Sequence, residues 1–514
     1  MVSNLSENLI KMIDQWAITE PTKVAYDYLG KTNTYADLKA YSDSLAAYLQ
    51  QMALPKGAPL IVFGGQKFEM IAAFLAAVKT GHAYIPVDTH SPLERVEIIK
   101  EIAQPAACIA VDELPLKFTD LPVITPTQLN EIFAIKTPYH DVANYVSGDE
   151  NFYIIFTSGT TGVPKGVQIS HDNLVSFNNW MQTDFGLSKD GVCLSQPPYS
   201  FDLSVMDLYP TLTAGKRLAV LPKETTDNFK ELFSVLPELQ VSEWVSTPSF
   251  MDICLLQPTF DAKHLPALTH FFFCGEELTH KTAATLKQRF PQAKIFNTYG
   301  PTEATVAVSA VEITSEVLEN YQRLPIGKAK QDTQIVLLDE NGKEVATGES
   351  GEILIVGPSV SKGYLNNSEK TAKAFVTYNA RPAYKTGDLG QFDENGQLLY
   401  KGRIDFQIKL HGFRIELEDV DHHLDKVSYV SQATTVPHYG KDHKVNQLVA
   451  YVVKDKDKIA EFESDFKVTQ AIKKELLETM MSYMMPQKFV YVDSLPLTAN
   501  GKIDRKSLMK EVNS

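Results

Sequence analysis

Up to about residue 357 the chain alternates short apolar runs, at residues 60–63, 108–111, 218–221 and 270–273, with helix-length segments such as 68–79. Four apolar residues bounded by polar ones read as a buried strand, and longer stretches with apolar residues at helical spacing read as helices. The expected class is therefore α/β, with layered sheets and helices. Asn341-Gly342 and Asn395-Gly396 each close a β-like run, which is the turn chemistry of a hairpin and marks a more antiparallel section late in this region. After Arg403 the rhythm changes. A helix at 416–426, β-branched runs at 430–436 and 448–453, a second helix at 468–480 and a strand at 489–492 predict an α+β unit of about a hundred residues, a usual size for one domain. The expected division is a large N-terminal domain over residues 1–402 and a small C-terminal domain over 403–514, with the boundary near Asp405.

At 514 residues the chain exceeds what one core usually serves, and 44% apolar with 22% charged residues is ordinary for a globular enzyme. The formal net charge is −14, but from Arg403 onward 17 Lys and Arg face 17 Asp and Glu, so the acidic excess lies wholly in the first 402 residues. That balance argues against a broad nucleic-acid surface. Cys108, Cys193, Cys254 and Cys274 lack CxxC spacing, which argues against a zinc site or a disulfide framework and fits a reducing cytoplasm. The N-terminal MVSNLSENLIKMIDQW is amphipathic rather than a basic patch before an apolar run, and no apolar stretch approaches membrane-spanning length. The expected compartment is the cytoplasm.

TSGTTGVPKG (157–166) follows the apolar run 153–156 and sets three glycines among hydroxyls and a lysine. Gly159, Gly162 and Gly166 are expected to take positive φ and bring N–H groups to an anion, while Thr157, Ser158, Thr160, Thr161 and Lys165 add hydroxyls and charge. The spacing GxxxxGK[ST] is absent, so this is not a Walker loop. The alternative is a plain surface loop.

Further segments follow in order: AYIPVD (83–88), YSFDLS (199–204), NTYGPTEAT (297–305), GEILIVG (351–357), YKTGD (384–388), GRIDFQIKLHGFRIE (402–416) and NGKIDR (500–505). Together they resemble the acyl-adenylate-forming superfamily of peptide-synthetase adenylation domains and acyl-CoA ligases, over nearly the whole chain. The resemblance implies ATP binding by the 157–165 residues named above and by Asn297, Tyr299, Thr302, Asp388, Arg403 and Lys502. Tyr299 would stack on adenine, Asp388 and Arg403 would contact ribose, and Glu303 would hold the Mg²⁺ that accompanies ATP. Lys502 would be catalytic: a carboxylate attacking an α-phosphate brings two anions together, and a cation bridging them stabilises the transition state more than the ground state. Asp405 would be the hinge of a mobile C-terminal domain, and Gly412 and Arg414 would act in the thiolation state. Taken singly, Lys502 also reads as a solvated lysine, and Asp388 and Arg403 as surface charges.

Asp202 is the expected partner of a substrate ammonium, because a buried carboxylate needs one; the alternative is a helix N-cap. Cys274, after the run 271–273, would narrow the substrate pocket, or be an inert core thiol. Asp43-Ser44-Leu45 is similar to the attachment serine of carrier proteins but lacks its glycine, and TYADLKAYSDSLAAYLQ (34–50) has helical spacing, so a helix without a built-in carrier is expected. His171 has no accompanying GxSxG. YSFDLSVMDLYP (199–210) and FFFCGEEL (271–278) resemble the branch that adenylates D-alanine and passes it to the phosphopantetheine thiol of a separate carrier protein for teichoic-acid D-alanylation. Other expectations left open are adenylation of another small amino acid, a coenzyme A ligase, and a nucleotide-binding regulator without turnover. Preference for D over L rests on the resemblance alone.

Overall fold

In the computed structural model, which describes residues 7–159, 163–440, 443–459, 462–498 and 503–514, the short apolar runs are fully buried strands at the centres of two sheets. Leu60–Phe63 pairs in parallel with Tyr84–Val87 and with Ala107–Ala110, inside a six-stranded sheet ordered Val123–Ile124, Ala107–Ala110, Leu60–Phe63, Tyr84–Val87, Asn151–Thr157, Lys165–Ser170. Arg217–Val220 and His270–Phe273 lie in a nine-stranded sheet, and each pairs in parallel with its neighbours, with Leu218–Val220 and His270–Phe273 buried as parallel strands require. The intervening helix Phe68–Lys79 is buried along its entire length, including the Lys79 ammonium, which is bonded to Asp14 and Asp43.

Thr34 caps the helix Tyr35–Gln51 through a reciprocal capping box with Asp37. Asp43-Ser44-Leu45 is internal to that helix and buried, so the carrier-like serine is core. A five-stranded antiparallel sheet, containing Gln334–Leu338, Ser350–Val356, Arg381–Phe392, Phe375–Tyr378 and Leu398–Arg403, forms the late antiparallel section. Gly396 (φ 71°) turns Arg381–Phe392 into its neighbour Leu398–Arg403 as expected. Gly342 (φ 76°) closes only the isolated bridge Leu338–Glu344, and Gln334–Leu338 pairs instead with Ser350–Val356.

Among the described residues the chain divides into two compact units, one drawn from residues 1–89, 102–156 and 166–402, the other from 90–101, 157–165 and 403–514. The second unit carries the hairpin Gln407–Leu410 and Phe413–Glu416, the three-stranded sheet Val430–Tyr439, Val445–Lys454 and Lys488–Tyr491, and the helices Leu417–Asp425, Asp465–Thr479 and Arg505–Val512. These match the expected α+β order. All four cysteines are buried free thiols, and no described helix is long and apolar enough to cross a membrane.

Candidate active site

In the first unit, Asp202 precedes the helix Leu203–Thr213, all of whose residues are buried, and its side chain makes no N-capping bond. The capping alternative therefore fails, and the carboxylate sits at the helix start only 8% exposed. The Tyr153 hydroxyl feels the Asp202 charge; it is fully buried without a hydrogen-bond partner, and burial first, then the neighbouring Tyr84 and Asp202, pushes its pKa well up. Five residues beyond Asp202, Asp207 is wholly buried and accepts from Ser195 Oγ at 3.3 Å. Desolvation drives its carboxyl well above the usual range.

Cys274 follows the strand His270–Phe273 and precedes Gly275, which turns at φ 91°. Its Sγ lies 3.7 Å from the Val306 carbonyl oxygen. That carbonyl is presented by an unusual backbone. Thr305 (φ 60°) and Val306 (φ 69°) are consecutive β-branched residues in the left-handed region, which costs of order 1–3 kcal/mol each and is found where surroundings impose it. Thr305 Oγ1 donates to the Ser359 carbonyl at 2.7 Å, and a Cβ on Gly300 would sit 2.5 Å from Ala307 Cα, so hydrogen bonding and close packing hold the kink. Pro301 introduces only the short 3₁₀ turn Thr302–Ala304.

Tyr299 donates its hydroxyl to Asp388 Oδ2 at 2.5 Å, and burial, followed by the Asp388 charge, keeps that phenol neutral. Glu303 is fully buried and accepts from the Tyr364 hydroxyl at 2.7 Å. Asn297 spends its side-chain amide on the Pro325 carbonyl at 2.8 Å, and Thr302 is buried beside Glu303. No group of three or more metal-ligating side chains occurs among the described residues. Glu303 thus offers one carboxylate, a donor set that suits Mg²⁺, which keeps waters and substrate phosphates as its other ligands.

In the second unit, Arg403 and Asp405 form a two-pronged pair, Nε to Oδ1 at 2.6 Å and Nη2 to Oδ2 at 2.7 Å. Burial alone would raise the Asp405 carboxyl, but the Arg403 guanidinium outweighs it and holds the carboxyl below the usual range. Gly412 (φ 84°) and His411 (φ 52°) make the tight turn of the hairpin. Ser158 Oγ donates to the Arg414 carbonyl at 2.8 Å, and Lys165 Nζ lies 3.4 Å from Glu416 Oε1. Thr157 Oγ1 is buried without a partner. Gly159 and Gly166 do not adopt the expected positive φ. They are needed for close approach, since a Cβ on Gly159 would meet the Val163 carbonyl at 2.1 Å and one on Gly166 the Phe156 ring at 2.9 Å. Thr160, Thr161, Gly162 and Lys502 lie outside the described residues.

The description "AMP-binding enzyme" matches residues 13–365, and "AMP-binding enzyme C-terminal domain" matches 419–502. The chain belongs to the AMP-binding enzymes. It is 63% identical over 508 residues to the "D-alanine--D-alanyl carrier protein ligase" of Lactiplantibacillus plantarum, covering 99% of both chains. It is 57% identical over 507 residues to the protein of that name from Lacticaseibacillus paracasei, again covering 99% of each. The crystal structure of the Vibrio cholerae adenylation domain AlmE in complex with glycyl-adenosine-5'-phosphate is 23% identical, with a TM-score of 0.82 over 100% of this chain and 99% of that one, a likeness of fold.

Within this AMP-binding enzyme Asp202, Cys274, Asn297, Tyr299, Thr302, Glu303 and Asp388 lie in the first unit, where Tyr299 and Asp388 are in direct contact, and Ser158, Lys165, Arg403, Asp405, Gly412 and Arg414 lie in the second. Motif reading passed over four features. Val306 is marked in sequence by nothing but an ordinary valine, and Asp207 reads as one more acid on a helix. Glu416 and Asp419 lie in or beside the GRIDFQIKLHGFRIE motif, but only the fold shows that they face Lys165 and Gly159.

Proposed function

We infer that this enzyme activates D-alanine with ATP and transfers the D-alanyl group to a separate carrier protein. The full-length identity to ligases of that name carries the reading. In the first half-reaction a D-alanine carboxylate oxygen attacks the α-phosphorus, the bond to the bridging oxygen breaks, and pyrophosphate leaves. In the second, the carrier's phosphopantetheine sulfur attacks the carbonyl carbon of the mixed anhydride, and AMP leaves with the bonding pair while the thiol proton goes to solvent. Asp202 pairs with the substrate ammonium, and Cys274 narrows the pocket to a methyl side chain. Tyr299 carries the adenine, Asp388 and Arg403 orient the ribose, and Thr157, Ser158, Thr160, Thr161, Lys165, Asn297 and Thr302 serve the remaining nucleotide contacts. Glu303 would hold Mg²⁺, which when bound would supply neutralisation of phosphate charge. Lys502 bridges the two anions of the first transition state.

The small domain over 403–514 pivots at Asp405, so that Lys502 serves adenylation and the Gly412 and Arg414 face serves transfer. The setting is the cytoplasm, and the D-alanyl carrier feeds teichoic-acid D-alanylation. The test is ATP–pyrophosphate exchange with D-alanine, L-alanine, glycine and short fatty acids in parallel, followed by trapping with holo carrier protein or coenzyme A. D-Alanine should dominate exchange and the carrier should capture the product. Exchange with fatty acids only, capture by coenzyme A only, or no exchange at all would overturn the reading in favour of a coenzyme A ligase or a non-catalytic nucleotide binder.

A further inference from the structure

Two donors that the proposed function assigns to nucleotide phosphate are already occupied within the second unit. Ser158 Oγ donates to the Arg414 carbonyl. Lys165 Nζ, in a residue only 8% exposed, lies 3.4 Å from Glu416 Oε1, and the buried Asp419 carboxyl feels the Lys165 charge and the Gly159 N–H. Glu416 is itself buried and is pinned by Gln407 Nε2 at 2.6 Å, while Asp419 is buried with His423 Nε2 3.5 Å away. A hydroxyl, a backbone N–H and an ammonium are the donors that cradle a phosphate. Here the hydroxyl and the ammonium each face an oxygen acceptor of one short stretch, residues 414–416, the second of them a carboxylate.

Two buried carboxylates facing one lysine are expensive to hold unless they are paired. The strand Phe413–Glu416 sets Glu416 against Lys165, and the first turn of the helix Leu417–Asp425 brings the Asp419 charge beside them, while Ser158 is held by the Arg414 carbonyl. We propose that Glu416, with the Asp419 charge beside it, is a phosphate surrogate, which takes over Lys165 after pyrophosphate has left and so commits the bound adenylate to the thiol rather than to reversal. Both are positioning residues, acting through Lys165 and not on the reacting atoms. An oxygen anion of the protein and one of pyrophosphate cannot occupy the same donors at once, so the pairing makes adenylate formation and transfer mutually exclusive at these residues. The inference rests on the phosphate role proposed for Lys165.

The experiment offers enzyme-bound D-alanyl-adenylate inorganic pyrophosphate and holo carrier protein together, and counts ATP against D-alanyl-carrier. Glu416→Gln and Asp419→Asn keep shape and remove the charge. Each should shift the partition toward ATP by about tenfold, the worth of one charge-assisted bond, with the KM for D-alanine unchanged. Gln407→Leu, which leaves the carboxylate charge in place, should shift it far less. In a Lys165→Met background, Glu416→Gln should change nothing further, because the partner is gone. An unchanged partition in both charge-removing variants, or an equal shift in Gln407→Leu, overturns the inference. Should Lys165→Met leave the KM for ATP untouched, the phosphate reading of that residue fails first; a raised KM for ATP with an unmoved Glu416→Gln partition defeats the surrogate role alone.

Discussion

Replacing Asp202 by Asn tests substrate recognition at the point where the structure is most explicit. The side chain is 8% exposed and makes no capping bond to the helix Leu203–Thr213, so the substitution removes charge without removing a helix cap. An ammonium brought beside an amide instead of a carboxylate loses a buried charge partner, worth roughly 2–5 kcal/mol when one member of such a pair is deleted. At 1.4 kcal/mol per factor of ten, that is about 30-fold to 3000-fold in the D-alanine requirement. Pyrophosphate exchange measured against D-alanine at saturating ATP, and against ATP at saturating D-alanine, separates the effects. The KM for D-alanine should rise within that range while the KM for ATP stays put and the melting temperature is unchanged. A parallel rise in both constants, or no rise in either, refutes the ammonium assignment and leaves Asp202 an acid of the helix start without a substrate role.

Cys274→Ala or Gly should admit larger amino acids and improve L-alanine relative to D-alanine by roughly tenfold or more, since one methylene is worth about 1–3 kcal/mol in such pockets; an unmoved ratio of kcat/KM values returns Cys274 to an inert core thiol. Lys502→Ala should lose about 10²-fold or more in pyrophosphate exchange yet still transfer D-alanine from preformed adenylate. Asp405→Pro, which fixes φ at the proposed hinge, should retain exchange and lose transfer, and parallel loss of both steps in both folded variants sinks the division of labour. Burial pushes the Asp419 carboxyl up to about 6 against the opposing pull of Arg95, Lys165 and the Gly159 N–H, with Glu416 adding to the rise. The folded state therefore keeps a proton that the unfolded chain releases, and stability gains from this group as the pH falls from about 7 toward 4. Burial pushes His423, beside it, down to about 4, and His423 acts in the opposite sense, so the difference between wild type and Asp419→Asn isolates the carboxyl. Urea unfolding at pH 7 and pH 5 should show a gain on acidification about 1 kcal/mol smaller in Asp419→Asn, and identical differences would remove Asp419 from the titration.

The layered α/β region and the α+β unit after Arg403 were legible because buried parallel strands leave unbroken apolar runs and amphipathic helices leave a period. Residues 60–63, 68–79 and 270–273 fell where the pattern put them. The Asn341-Gly342 turn closes a short antiparallel bridge, Leu338–Glu344, but Asn-Gly reports a two-residue reversal, not which strand pairs at length, and the long partner of Gln334–Leu338 is Ser350–Val356 beyond it. Glycine spacing in TSGTTGVPKG signalled a tight loop correctly but not its cause, since crowding at Val163 and Phe156, rather than positive φ, excludes side chains at Gly159 and Gly166.

What the sequence could not express were relations that exist only after the chain has closed on itself. Thr305 and Val306 favour extended backbone by intrinsic preference, yet both sit in the left-handed region and aim a carbonyl at the Cys274 thiol. No local rule anticipates a conformation that its own residues disfavour; the bond from Thr305 to Ser359 and the close approach at Gly300 impose it. Glu416 poses the same difficulty in electrostatic form. Beside Arg414 in sequence it reads as one charge of a mixed strand, while its fold partner Lys165 lies some 250 positions away. The residues proposed to carry chemistry could be picked out as types because phosphate, ammonium and ribose each demand particular donors and acceptors. The residues that aim and occupy those groups were not, because their role is a distance, and a distance is fixed only by the packing of the whole unit.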